Sequence, residues 1–446
     1  MKKFYFLGFV FVLFVSSCKD DLHTNHQNLD DDLVQALITA SNGKGIDYYI
    51  LPESDNFSAI PQDDNNPISA AKVELGQNLY HETAIALHPK NTIGLQTYSC
   101  SSCHFASAGF QACRVQGIGD GGSGFGTNGE HRINDPAYNL PDIDTQPIRS
   151  PSTLNSAYQR ITLWNGQFGA NSLNVGTEYA WTQGTPKEKN NLGFDGLETQ
   201  AIAGLGVHRM DIDTSFVFHT AYKWMFDKAF PNIPEEQRYT LRNAGLAIAA
   251  YERTLLANRA PFQDWLRGND LAMNMQEKEG AILFFTKAGC ANCHNGPALN
   301  SMGFYAYGMN DLGGESTYNI NENQPEHLGR GGFTQNAYDM YKFKVPQLYN
   351  LKDSPFFGHG SSFRAVRDVV AYKNAGVPEN ANVPQSQLAA DFKPLGLTET
   401  EIDAITAFLL HSLHDPQLHR YEPELLPSGL CFPNNDPASK EDLGCQ

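Results

Sequence analysis

Beyond its first fifteen residues the chain has no apolar run approaching the roughly 20 residues a helix needs to cross a bilayer, so a permanent membrane-spanning protein is not expected. Cationic side chains are scarce: 32 Lys and Arg stand against 49 Asp and Glu, for a net charge of −17. That balance argues against a nucleic-acid partner, whose phosphates demand a basic surface, and suits the steering of a basic protein. Strand-like alternation is sparse, and only 18% of residues are charged against 41% hydrophobic. With 446 residues, that is enough to fill two ordinary globular cores. Cysteine is scarce too, at eight residues, so its placement carries weight.

The N-terminus reads Met1-Lys2-Lys3, an apolar run from Phe4 to Val15, then Ser16-Ser17-Cys18. A positive start, a short hydrophobic segment and small residues before a cysteine make an export signal over 1–17. The last four residues resemble a bacterial lipobox, which implies lipidation at Cys18 and a protein tethered on the periplasmic side of the envelope. An ordinary secretory peptide is the alternative. Asp20-Asp21, Asp30-Asp31-Asp32 and Asp63-Asp64-Asn65-Asn66 make 18–66 read as an acidic, flexible tether, with globular structure starting near Pro67.

Four of the eight cysteines fall into one pattern used twice: Cys100-Ser-Ser-Cys103-His104 and Cys290-Ala-Asn-Cys293-His294. Cys-x-x-Cys-His is the attachment signature of c-type haem. Two thiols at this spacing reach the two vinyl groups, and the adjacent imidazole becomes the proximal iron ligand. A zinc site built from both pairs is the rival, but the pairs stand too far apart in the chain for a zinc ribbon. Haem attachment outside the cytoplasm agrees with export. Cys431 and Cys445 could form a disulfide in that oxidising space, leaving Cys113 as a buried structural thiol.

Each motif has a similar lead-in, Val73-Glu74-Leu75-Gly76-Gln77-Asn78-Leu79-Tyr80 and Glu279-Gly280-Ala281-Ile282-Leu283-Phe284, both with helical apolar spacing. Pro234-Glu235-Glu236-Gln237 predicts the start of a long helix through Leu255. Thr398-Glu399-Thr400-Glu401 is a capping box for another that runs to Leu413. The fold expected is mainly α: two cytochrome c-like haem domains, 67–265 and 266–425, with long loops and a C-terminal tail at 426–446.

From about Ala70 to Leu413 the chain resembles the bacterial di-haem cytochrome c peroxidase family, which includes the MauG-type oxidases. The resemblance is carried by Arg149-Ser-Pro151-Ser-Thr153-Leu154-Asn155, Leu163-Trp164-Asn-Gly166, Leu197-Glu-Thr-Gln200-Ala201, Ala250-Tyr251-Glu252-Arg253-Thr254-Leu255, Phe343-Lys344-Val345-Pro346 and Pro355-Phe356-Phe357. It implies a peroxide-binding haem on His104 and an electron-transfer haem on His294. Trp164 would lie between them, and Gln200 would belong to the distal pocket. At the family's sixth-ligand position, usually methionine, the resemblance puts Tyr372, with Met302, Met309 and Met340 as alternatives.

The chain also departs from that pattern. Where the distal glutamate is expected, about ten residues after Gln200, it has Gly206-Val207-His208-Arg209-Met210. His208 is then the candidate acid and base, with Arg209 polarising peroxide. Either could instead be a surface residue or a propionate partner. His131 in the glycine-rich loop is a candidate resting-state cap on the first haem or a solvated side chain. Arg149 stands where the family often uses an asparagine for calcium (Ca2+), leaving only carbonyls near Asp353 and Pro355 to coordinate.

The function implied is reduction of hydrogen peroxide to water, with electrons from a small cytochrome c or cupredoxin. A MauG-like oxidase of a protein or organic substrate and a non-catalytic di-haem carrier are the alternatives. A homodimer is a further candidate assembly.

Overall fold

Local sequence signals set most of the helix starts. The computed structural model describes Met1 and residues 18–445, so the export signal lies outside the described residues, as does the side chain of Cys18. Helix α1 covers Cys18–Ala40. Helix α2 (Ala70–His81) starts where Ser69 accepts a hydrogen bond from the Lys72 amide. Helix α3 spans Gly196–Val207 and α4 Leu241–Arg253. Helix α5 (Met275–Phe285) opens with an Asn274/Glu277 capping box. Helix α6 is Val366–Ala375. Helix α7 (Glu399–Ala407) opens with the Thr398/Glu401 box expected from the sequence. The helix after it widens into a π-turn over Phe408–Ser412 instead of running on regularly to Leu413.

One expected helix is divided. The run from Pro234 breaks after Glu235–Arg238, and Thr240 caps a fresh start at Leu241 by accepting from the Asn243 amide. Asn243 Nδ2 closes the break on the carbonyls of Gln237 and Arg238, so the chain changes direction with its carbonyls satisfied. Strand is confined to two antiparallel two-residue pairs, Gly122–Ser123 with Ile133–Asn134 and Phe304–Tyr305 with Phe343–Lys344.

The helices form two similar crossings. Helix α2 packs on α4, which also packs on α3, while α5 packs on α7. Both crossings use a glycine from the lead-in. A Cβ on Gly76 would stand 2.0 Å from the Ala247 carbonyl oxygen, and one on Gly280 would stand 1.9 Å from that of Ala404. Only a bare Cα permits either approach. This is the mainly α, two-haem-unit architecture the motifs implied, and one apolar core runs through both units.

The acidic stretch after Cys18 is not a tether. Helix α1 lies on α5, burying Leu33 and Leu37. Asp30, almost fully buried, pairs with Lys278 at 2.5 Å and accepts from Trp265 Nε1 at 2.7 Å. Tyr49, Leu51 and Ile60 continue the burial. Acidic composition concealed an amphipathic face, on which Asp30 is buried with Leu33 and Leu37 while Asp31 and Asp32 are exposed. The C-terminal tail returns to the first unit: Cys431 is disulfide-bonded to Cys445, Asp436 pairs with buried Arg132, and the Pro433 carbonyl accepts from Ser99 and Ser102 beside the first motif. Cys113 is free and half-buried.

Candidate haem sites and the path between them

Both Cys-x-x-Cys-His segments form one turn of 3-10 helix, Cys100–Ser102 and Cys290–Asn292. That turn places two thiols on one side and delivers the histidine next to them. His104 Nδ1 lies 3.3 Å from the Phe110 carbonyl, and His294 Nδ1 lies 3.1 Å from the carbonyls of Leu299 and Pro346. Holding Nδ1–H leaves Nε2 as the free donor, the arrangement expected of a metal-ligating imidazole. Burial pushes both imidazoles down to about 4, so each is neutral and its lone pair is available. Burial also raises the thiols of Cys100, Cys103 and Cys290.

The surroundings fit a flat apolar macrocycle at the second motif. Cys290, Cys293 and His294 open into a cavity of about 310 Å³ with apolar walls that include Phe284, Val370 and Leu409. At the first motif the chain grazes the second thiol at Gly117, where a Cβ would stand 2.8 Å from Cys103 Sγ. Cys100, Cys103 and His104 each keep some accessible surface although protein surrounds them.

Near His104 the structure gathers polar groups. Gln200 and His208 lie along α3 and its end, either side of Gly204: a Cβ there would be 3.2 Å from Gln200 Nε2 and 4.0 Å from His208 Cδ2. His208 Nδ1 donates to the buried Asp144 carboxylate at 2.8 Å. Burial depresses His208, but the charge and hydrogen bond of Asp144 outweigh it and the net shift is upward. Asp144 fits because Gly119 has no side chain, a Cβ there standing 2.5 Å from Asp144 Oδ2. Arg209 is placed differently from the sequence expectation. Its guanidinium is bonded to Asp120 and to the Asp142 carbonyl, and its backbone is left-handed at φ 59°. Its carbonyl accepts from the His88 amide at 3.0 Å. Both side-chain bonds are made by Nη1, and they tie the turn that follows His208 to the loop carrying Asp120 and Asp142. His131 is exposed, on the loop bound to Asp436 and Asp442 of the tail.

Trp164 connects the two regions. Its indole lines the cavity that holds Cys290, Cys293 and His294, and its Nε1 donates to the Arg149 carbonyl at 2.9 Å. Two residues on, the Pro151 backbone is a hydrogen-bond acceptor for His104. The Arg149 side chain is buried and donates to Gln111, Ser354 and the carbonyls of Ala112 and Arg114. Among the described residues no group of three or more His, Cys, Asp or Glu is placed to hold a metal ion.

Tyr372 does not reach the cavity. Its hydroxyl donates to the Tyr307 carbonyl at 2.6 Å and accepts from the Glu379 amide at 3.3 Å. Its neighbour Lys373 lines the cavity, and burial lowers that amine to about 7. Of the methionine alternatives Met309 also lines it, whereas Met340 packs on Gly331. Lys344 is buried, donates to Gln159 at 2.7 Å and lines the same cavity. The sequence reading passed over Asp144, Asp120 and Lys373. No local pattern marks the two aspartates, and Lys373 was hidden by its tyrosine neighbour.

A family model described as di-haem cytochrome c peroxidase matches residues 70–271. The chain is 28% identical over 411 residues to the cytochrome-c peroxidase IdrP1 of Denitromonas iodatirespirans, covering 86% of this chain and 93% of that one. It is 26% identical to the cytochrome c551 peroxidase of Pseudomonas aeruginosa over 81% of this chain and 84% of that one. Among solved structures, a MauG-like protein associated with microbial copper homeostasis superposes with a TM-score of 0.53 at 21% identity, over 82% of this chain and 95% of that one, a likeness of fold.

Proposed function

From the match of residues 70–271 to the di-haem cytochrome c peroxidase family and the likeness to cytochrome c peroxidases, we infer that the chain is an oxidoreductase that reduces hydrogen peroxide to two waters, consuming two electrons from a small redox protein and two protons. The observation that carries this reading is Trp164, whose ring faces the second site while its indole N–H is tied to the Arg149–Pro151 backbone that supports His104. That is a short covalent and hydrogen-bonded route between the two attachment motifs. Bound at the motifs, haem would supply one iron able to take peroxide and one able to pass electrons.

The protein's own residues supply the rest. His208 with Asp144 behind it holds a proton acceptor and donor near the first site, in the role of the missing glutamate. Gln200 adds a polar donor beside it. Arg209 positions His208 through Asp120. We do not carry calcium forward, because the Arg149 guanidinium already takes the oxygens of Gln111, Ala112, Arg114 and Ser354. Covalent attachment through Cys100, Cys103, Cys290 and Cys293, export, and a lipid anchor at Cys18 on the periplasmic side belong to the same proposal. The Cys431–Cys445 disulfide supports an oxidising compartment, and no helix of the described residues is long and apolar enough to cross a membrane.

The test is steady-state turnover of matured protein with peroxide and a reduced small cytochrome c or cupredoxin. Two covalent haems per chain and peroxide-dependent oxidation of the donor are expected. Absence of turnover with both haems present would overturn the peroxidase reading, and a peroxide-driven oxidation of protein or organic substrates instead would replace it with the MauG-like one.

A further inference from the structure

We propose that the side-chain amine of Lys373 is the sixth ligand of the iron held by His294, in place of Tyr372. The inference rests on the two-haem reading above. Tyr372 and Lys373 are consecutive on α6 and project about 100° apart, and of the two only Lys373 joins Val366, Val369 and Val370 on the cavity wall. The facing residue is Lys373, which shares the cavity wall with Cys290, Cys293 and His294. The tyrosine ring lies between Phe363 and Phe392, at 5.0 and 5.3 Å, and its hydroxyl is engaged in both directions with backbone.

Lys373 has the surroundings expected of a metal ligand. Its Nζ makes no hydrogen bond or ion pair among the described residues, and its recorded partner is the face of Tyr307, 2.8 Å from the ring centroid. The carboxylate nearest the site, Asp391, is exposed and accepts from Tyr307 Oη at 3.1 Å. An ammonium aimed into an apolar cavity without an acceptor is costly. A neutral amine donating its lone pair to iron removes that cost, and the displaced proton leaves to water at the Asp391 rim.

The choice of donor matters to the chemistry. A neutral amine stabilises ferric iron more than a thioether does, and it lacks the negative charge of a phenolate. The second haem would therefore sit between the potentials that methionine and tyrosine ligation would set. Met309, Lys344, His327 and His359 line the same wall; Met309 packs against Gly358, Lys344 and His359 are hydrogen-bonded to Gln159 and Asp311, and of the two nitrogens left unengaged, those of His327 and Lys373, the lysine is the one beside Cys290 and Cys293.

Electron paramagnetic resonance and near-infrared magnetic circular dichroism of the ferric holoprotein read the ligand without any turnover. In Lys373→Ala one haem should lose its low-spin amine signature. In Lys373→Met, which keeps side-chain volume, a thioether-to-iron charge-transfer band should appear and the potential of that haem should rise. Tyr372→Phe and Met309→Leu should leave both haem signals unchanged. An unchanged spectrum in both Lys373 variants, or loss of the signature in Tyr372→Phe or Met309→Leu, would overturn the assignment. Haem content and peroxide turnover, measured separately, report on the functional reading, so the two can fail independently.

Discussion

The two haem regions are alike on the side of the motif and unlike on the opposite side. Each motif follows a helix whose glycine, Gly76 or Gly280, lies against the backbone of a later helix, and each histidine is held by a carbonyl five or six residues further on. Facing them, the first region collects Gln200, His208 and Asp144, whereas the second presents apolar walls and two amines, Lys344 and Lys373. The shared half is built from short-range sequence and so repeats wherever that sequence repeats. The differing half comes from distant segments, and there one site gains a histidine backed by a carboxylate while the other gains buried amines.

The largest test of that asymmetry is His208→Ala. Losing the general acid and base should lower kcat for peroxide by about 10²–10⁴-fold while leaving the spectra of the His294 haem as they were. Equal damage to both haems would mean that the polar cluster is structural. Next in size is the tail, which belongs to the first unit alone. Its disulfide joins residues 14 apart, and the double variant Cys431→Ser/Cys445→Ser should lose about 3 kcal/mol by the chain-entropy argument. Calorimetry should show the loss in the transition that releases the first haem; a loss confined to the second would contradict the placement.

Gly76→Ala and Gly280→Ala then probe the similarity itself. Each puts a methyl where a carbonyl oxygen lies at about 2 Å, so each should cost roughly 1–3 kcal/mol by overpacking, read by urea unfolding. Tolerance at one position and not the other would show that the crossings are not equivalent. The smallest effect is a shift in pH dependence. Asp144 holds His208 above its ordinary value, and a base acts only when unprotonated, so activity should rise with pH through the raised pKa. Asp144→Asn removes the cause, and the acid limb of kcat/KM should move to lower pH. The same sign governs stability: the pair's contribution is full below the unfolded histidine pKa and disappears as pH rises through the folded one.

Much of the fold was legible because its signals are local. The attachment motifs, the Thr398 capping box and the sparse strand all follow from residues within a few positions of one another. The break at Thr240 was not, since the apolar spacing continues across it and only the Asn243 side chain closing on Gln237 and Arg238 shows that the helix restarts. The segment after Cys18 misled by composition, because Leu33 and Leu37 make a buried stripe among acids that α5 alone explains. The partner of Arg209 was not legible either, since Asp120 reaches its guanidinium from a loop far earlier in the chain.

By itself the sequence determined that two Cys-x-x-Cys-His turns exist, which thiols and imidazoles form them, and that helices surround them, because each depends on spacing within a turn or two of chain. Only the tertiary structure decided which residues face those turns. It chose Lys373 over its neighbour by helix rotation, joined Asp144 to His208 across a gap that Gly119 leaves open, and crossed the two chain ends onto opposite units. Contacts between segments remote in sequence are fixed by packing, and packing leaves no periodic mark in the residues that meet.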